Sequence, residues 1–416
     1  MNKFVNLNKF FKMLSVVILG FSTLFFTGCI YISYTFPDDY HVTEGEQTTF
    51  SCGVFSVNTT QESTECLSTD SDFPIYPANL SFLEIFPVKP VLVSVMPKRK
   101  VIPCGTPFGV RIHTDGVMII NIVDVKTAQG VVCPGKISNL QKGDVITKIN
   151  EKSVTTNEEI GNIVEESHGQ ELKLSVIREN TPFNTTLNPA KSVEDNCYRA
   201  GIWVRDSSAG IGTMTFVEPT SKCFSGLGHG ICDVDTGGIL RLSHGDIVEA
   251  AITDTRKGSR GSPGELKGCF TDPRPIGKLL ANTQTGLYGI LERSPENEES
   301  IPVAMKQQVQ QGPAQILATV EGSEPAYYDI NIDSINYNVN NPIKNILIST
   351  KEPNLLEKTG GIVQGMSGSP IIQNGMLIGA VTHVFVNDPT KGYAIFAETM
   401  LTNSNNIFES QYKKVS

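Results

Sequence analysis

From Cys197 to the C-terminus, short apolar runs alternate with glycine turns. "GIWVRDSSAGIGTMTFV", "ILRLSHGDIVEAAITDT" and "IGKLLANTQTGLYGILE" each read as a β hairpin. Strands at this spacing predict a barrel or sandwich, and 37 glycines and 23 prolines favour short strands and turns over long helices. At 416 residues there is room for two or three domains with cores of their own. A net charge of -9, with no basic stripe, excludes a nucleic-acid partner.

Upstream the chain changes character. Residues 13–37 carry no charge and are mostly apolar, with Lys3, Lys9 and Lys12 before them and Asp38 and Asp39 after. That length predicts a transmembrane helix within an N-terminal segment, residues 1–37, with the lysines cytoplasmic and the remainder exported. A cleaved signal is the alternative, including a lipoprotein type ending at Cys29 in "LFFTGC". Residues 38–79 are polar and read as an exposed linker, and 80–102 as a β-rich connecting segment. No CxxC pair occurs among the nine cysteines. Export permits disulfides, and Cys52 and Cys66 are spaced to close a loop.

Residues 103–190 form a compact unit. "GTPFGVRIHTDGVMIINIVDV" reads as two strands, "KGDVITKIN" as a turn and strand, "TTNEEIGNIVEESHG" as an amphipathic helix, and "ELKLSVIREN" as a closing strand. Thr155 or Thr156 is placed to cap the helix, with Glu158 or Glu159 in its first turn. This order resembles a PDZ domain, which binds a peptide as an added strand beside a helix. The resemblance puts the peptide-binding loop at Pro107, Phe108, Gly109 and Val110.

In "TGGIVQGMSGSPIIQNGMLIGAVTH" two serines, Ser367 and Ser369, stand among glycines between apolar runs. Amide hydrolysis needs a nucleophile, a base and donors facing the oxyanion. The turn "GMSGSP" supplies two of these, with the N–H groups of Gly365 and Ser367 forming the oxyanion hole and Gly368 closing the turn. It is similar to the G-x-S-G-x-P loops of chymotrypsin-like proteases, which makes Ser367 the nucleophile. Among six histidines, His41, His113, His168 and His244 sit in the linker, the PDZ-like unit or a hairpin turn. His229, flanked by glycines in "GLGHGICDVDTG", is the expected base. His383 ends the strand after the nucleophile turn and is expected to shape specificity or to pack. Asp206, Asp233, Asp235, Asp246 and Glu352 are the candidate acids, and spacing does not choose among them.

"FSGLGHGICDVDTG", "KGSRGSPGELKG", "IPVAMK", "GPAQI" and "EKTGGIVQGMSGSPIIQNGMLIGAVTHVFVNDPTKGYAIF" resemble the stage IV sporulation protein B peptidase family of endospore-forming bacteria. The resemblance covers most of the chain from residue 80 onward. It implies a serine endopeptidase with a chymotrypsin-like β-barrel domain over residues 195–416, and no cofactor. Its serine falls on Ser367, its histidine on His229 and its acid on Glu352, fifteen residues before the serine. Family members carry an aspartate there, and the extra methylene of Glu352 moves the carboxylate by about 1.5 Å. Asp233 is the alternative acid. The resemblance further implies export from the forespore, self-cleavage near the N-terminus and binding of that N-terminal segment by the PDZ domain. The released enzyme then cuts a membrane-bound inhibitor of an intramembrane metalloprotease, which processes the precursor of the late mother-cell sigma factor.

Three other readings carry less of the sequence. Cys223, His229 and Cys232 suggest zinc, but C-x5-H-x2-C fits no common closed site. Cys232 as nucleophile lacks glycine-framed donors. A PDZ adaptor with an inactive protease fold follows if Glu352 spoils the triad.

Overall fold

The apolar N-terminal run is helical: α1 spans Asn2–Thr35 in the computed structural model, which describes residues 2–43, 50–52, 55–58, 75–295, 299–337 and 341–412. Large apolar side chains between Met13 and Ile30, among them Ile18, Phe21 and Phe25, are exposed. Among the described residues no helix is long and apolar enough to cross a membrane, so the expected span is not met within them. The segment read as an open linker also differs from expectation. Asp39–Thr43, Phe50–Cys52 and Phe55–Asn58 join Ile75–Phe82 and Phe86–Met96 in a five-stranded sheet. Tyr40, Val42 and Val57 pack there on Leu80, Val91 and Val93, enough apolar side chains to offset the polar composition between them. The loop expected from Cys52 to Cys66 lies outside the described residues.

Residues 107–187 contribute β1 (Pro107–Ile122), β2 (Val145–Ile149), α2 (Asn157–Glu166), β3 (Leu172–Arg178) and β4 (Thr181–Leu187). Helix α2 starts where expected, because Thr156 accepts from the Glu159 amide and the Glu159 carboxylate accepts from the Thr156 amide. Its buried Ile160 and Val164 pack on Ile146, Leu174 and Val176. The segment Phe108-Gly109-Val110 is not a loop, which corrects its reading as a peptide-binding loop. It lies inside β1, with both edges already paired, and no backbone edge remains there to accept a peptide strand. Phe108 is buried against Phe224 at 5.9 Å between ring centroids.

That double pairing builds the first barrel. On one side β1 pairs with β5 (Ile202–Val217). Next in the chain come β6 (Cys223–Gly226), β7 (Leu242–Arg256), β8 (Glu265–Thr283) and β9 (Gly286–Leu291). The ladder runs β1–β7–β8–β9–β6–β5 and returns to β1. Inside it, Phe108, Val110, Ile112, Phe224, Ile247 and Leu287 form one core. A second, closed barrel follows, from β10 (Gly312–Ala318), β11 (Ala326–Ile335), β12 (Ile346–Ser349), β13 (Pro370–Gln373), β14 (Met376–Phe385) and β15 (Asp388–Phe396). Its core is rich in β-branched residues, including Ile316, Ile330, Ile348, Ile371 and Ile378, as strands buried on one face require. Helix α3 (Pro353–Thr359) interrupts this barrel, and α4 (Ala397–Tyr412) closes the described chain. The architecture is mainly β, as the glycine-punctuated sequence predicts.

Phe224 is fully buried where β6 and β1 pack. Phe224→Ala is expected to destabilise the fold by about 3–5 kcal/mol, measured by urea unfolding. A loss below about 1 kcal/mol would mean that this core does not hold the barrel together.

Candidate active site

Each barrel supplies one glycine-framed loop, and the two loops touch. The first leaves β6 at Gly226, passes Leu227 and Gly228 with positive φ of 65° each, and reaches His229. A left-handed leucine is uncommon. Here the Leu227 amide donates to the Thr213 carbonyl at 3.2 Å, and the side chain is buried. A Cβ at Gly228 would lie 3.0 Å from methyl groups of Ile395 and Thr382 in the second barrel. One at Gly230 would lie 2.6 Å from the Thr283 carbonyl oxygen. The His loop is therefore pressed between the second barrel and the β8–β9 hairpin.

The second loop runs from Gln364 to Ser369. Gly365 and Gly368 both have φ of 96°, open to glycine and strained for other residues. A Cβ at Gly368 would overlap the Thr213 carbonyl oxygen and sit 2.5 Å from the Leu227 amide nitrogen. The bare α-carbon of Gly368 is thus what lets the serine turn rest on the histidine loop. Thr213 joins them further, its hydroxyl donating to the Gly365 carbonyl at 2.8 Å and its amide to the Ser367 carbonyl at 3.3 Å.

The remaining loop amides are informative. Those of Met366, Gly368 and Ser369 donate to Val363, Val381 and Met366 carbonyls. Among the described residues, the amides of Gly365 and Ser367 have no acceptor, and these are the two an oxyanion hole requires. Ser369 is fully buried, its hydroxyl without a hydrogen-bond partner. The half-buried Ser367 hydroxyl donates to the Thr382 carbonyl at 2.8 Å.

The His229 ring stands beside that of His383, with centroids 5.3 Å apart. Its Nδ1 lies 2.9 Å from the Gly230 carbonyl. A carbonyl only accepts, so Nδ1 carries the proton and Nε2 keeps the lone pair a base needs. Burial pushes the His229 imidazole below its ordinary range, opposed by the bond to Gly230. His383 is pushed down to about 4 by burial first, then by His229 and Lys344, so it is neutral near pH 7. His113 and His244 stack on each other at 4.4 Å on adjacent strands of the first barrel.

Among the described residues no carboxylate hydrogen-bonds to the His229 ring. Glu352 caps α3, its carboxylate accepting weakly from the Asn354 amide at 3.5 Å and side chain at 3.3 Å. Asp233 is buried, ion-paired with Arg205, and accepts from the Asp235 and Thr236 amides. Its burial disfavours the charge, but the Thr236 amide and Arg205 outweigh this and hold its pKa low. Asp206 accepts from the Asn157 amide at 2.8 Å, at the start of α2. Cys223 is buried in the first barrel while Cys232 is exposed, and no group of three metal-ligating side chains occurs among the described residues.

Asn282, which sequence reasoning missed, clamps the loop after His229. Its side-chain oxygen accepts from the Ile231 amide at 2.8 Å, and its nitrogen donates to the Ile231 and Leu240 carbonyls at 2.9 Å each. An asparagine in the β8–β9 hairpin carries no motif, so only the folded chain identifies it.

Two β-barrels that bring a glycine-framed serine turn against a glycine-framed histidine loop define a serine peptidase. Residues 196–401 match the SpoIVB peptidase S55 family, and this part of the chain is a serine peptidase of that kind. A search of curated proteins found no match.

Because burial lowers the pKa of His229, the neutral base survives to lower pH than an ordinary histidine would. The acid limb of kcat/KM is expected below about pH 6.5, activity falling as pH drops through it. An acid limb above that value would contradict the buried base. Asn282→Ala is expected to lower kcat at least about tenfold, with a stability loss of about 1–3 kcal/mol. Unchanged kcat would show that the His229 loop holds itself.

Proposed function

We propose that this peptidase is a sporulation endopeptidase in which Ser367 attacks the peptide carbonyl and His229 is the general base. The observation that carries the reading is the pair of interlocked loops, in which only the Gly365 and Ser367 amides of the serine turn lack an acceptor. In the resting site the hydroxyl is parked on the Thr382 carbonyl. Substrate binding turns it toward His229 Nε2, which takes the proton as the carbonyl carbon is attacked. The developing oxyanion settles on the two amides, and the imidazolium then protonates the leaving amine. The Gly230 carbonyl holds the tautomer in the resting site. Glu352 acts as the acid in this reading only by leaving Asn354, and Asp233 only by leaving Arg205.

The remaining features fit an exported, membrane-associated enzyme. The uncharged run of residues 13–37 and the exposed apolar side chains of α1 support attachment to the forespore membrane, with the peptidase in the intermembrane space. The polar segment 38–79 supports self-cleavage there and release. The substrate is then the membrane-bound inhibitor of an intramembrane metalloprotease, whose loss starts processing of the late mother-cell sigma factor precursor. The unit around α2 acts as a PDZ domain that holds the enzyme's own N-terminal segment. Ile202 and Val204 of β5 pack into its core beside α2, and among the described residues that part of β5 pairs with β1 alone. Its other edge is where a peptide strand adds.

One observation favours a second reading, a PDZ adaptor with a catalytically weak protease fold: no described carboxylate bonds His229. The two readings separate in a self-cleavage assay. Wild type is expected to shorten itself from the N-terminal side while Ser367→Ala stays full length. If both stay intact and neither cuts the inhibitor, the adaptor reading holds. Glu352→Ala is expected to lose roughly 100-fold in kcat and Glu352→Asp to keep activity. Unchanged turnover in Glu352→Ala moves the acid's role to another group.

A further inference from the structure

The outer face of the first barrel is nearly bare where it meets the serine turn. Gly109 on β1 and Gly268 on β8 give it little but backbone. Over Gly109 lies the Phe270 ring, close enough that a Cβ on this glycine would be 2.5 Å from it. Arg111 holds that ring from the side, its guanidinium carbon 5.4 Å from the centroid and its nitrogen hydrogen-bonded to the Pro273 carbonyl. The Ile211 side chain reaches across so that a Cβ on Gly268 would be 2.9 Å from its terminal methyl. Between these groups a cavity of about 550 Å3 opens, reaching Gly365 at one end. That volume lies within the roughly 300–1,000 Å3 of ligand clefts.

The walls of the cavity are apolar at Ala209, Ile211, Leu266 and Phe270, with Cys269 and Gln364 beside them and glycine backbone as the floor. The charges at its rim, Glu265 and Lys267, are of opposite sign and face outside partners, Arg256 and Asp254 at 3.6 Å each. Nothing in it selects a charged group. The cavity is also fixed to the reaction centre, because the Leu266 amide donates to the Gln364 carbonyl at 2.8 Å and the Gln364 amide to Gly264 at 2.9 Å. A polypeptide whose carbonyl oxygen sits on the Gly365 and Ser367 amides must pass over this opening.

We infer that the cavity formed by Ala209, Ile211, Leu266 and Phe270 is a specificity subsite that takes an apolar side chain of the substrate next to the scissile bond, on the Gly365 side. This rests on Ser367 being the nucleophile. Ala209 is the lever: it lies two residues before Ile211 on the same face of β5, opposite Arg111, and it is exposed at the cavity, so Ala209→Trp projects over the opening. Phe270→Ala instead enlarges it.

The test is a hexapeptide library with Ala, Leu, Phe, Trp, Asp or Lys at each position within two residues of the cleaved bond, read by mass spectrometry. Wild type is expected to prefer Leu or Phe over Ala at one position by roughly tenfold or more in kcat/KM. Ala209→Trp reverses that ratio toward Ala, and Phe270→Ala moves it toward Trp. The same ratio in wild type and both variants overturns the subsite. Binding of the Leu or Phe peptides to Ser367→Ala protein, measured by fluorescence anisotropy, separates the two claims. Selective binding that Ala209→Trp weakens tenfold supports the subsite even if the nucleophile proves to be another residue; binding indifferent to both side chain and variant refutes it.

Discussion

The missing side chain at Gly368 is the constraint on which the reaction centre depends. Its α-carbon lies so close to the Thr213 carbonyl and the Leu227 amide that even one methyl group would push the serine turn off the histidine loop. Neither loop reaches the other by its own shape. They meet because two separately closed barrels are pressed together, and at this contact the backbone of one must touch the backbone of the other. Thr213 then ties the contact with one hydroxyl and one amide bond. Glycine is the only residue that allows both the approach and the φ of 96°.

Strand β1 extends that dependence upstream. Its first half belongs to the first barrel, and its second half to the sheet beside α2. The family match begins at residue 196, yet a barrel closed by β1 is incomplete without residues 107–122. Strand β5 mirrors this arrangement, running from the side of α2 to Thr213. The two units are therefore joined by continuous strands, and a peptide bound beside α2 would press on the strand that holds the serine turn.

Much of the fold was readable before folding. The capping box at Thr156 and Glu159 is spelled by local spacing, and so are the alternating strand Leu172–Arg178 and the paired glycines around Ser367. Other readings failed for a common reason. The resemblance to a PDZ domain makes Pro107–Val110 a peptide-binding loop, but the pairing of β5 and β7 on both sides makes it strand. Residues 39–58 looked like a linker because polar residues dominate them, yet Tyr40, Val42 and Val57 suffice to anchor a sheet. Asn282 belongs to no motif, and its work at the site, like that of the Thr382 carbonyl, exists only through partners far away in the chain.

What the chain spells by itself is therefore the class of structure and the two glycine-framed loops that carry Ser367 and His229, since turn chemistry and strand alternation depend on neighbours a few residues apart. What only the tertiary structure decided is which groups stand around them. It put a backbone carbonyl rather than a carboxylate on His229, a second imidazole beside it, and an apolar cavity next to Gly365. The second imidazole and the cavity come from contacts across two barrels, where the partner of a residue depends on how closed sheets pack. The Gly230 carbonyl is the histidine's own neighbour and bonds it because packing brings no described carboxylate there.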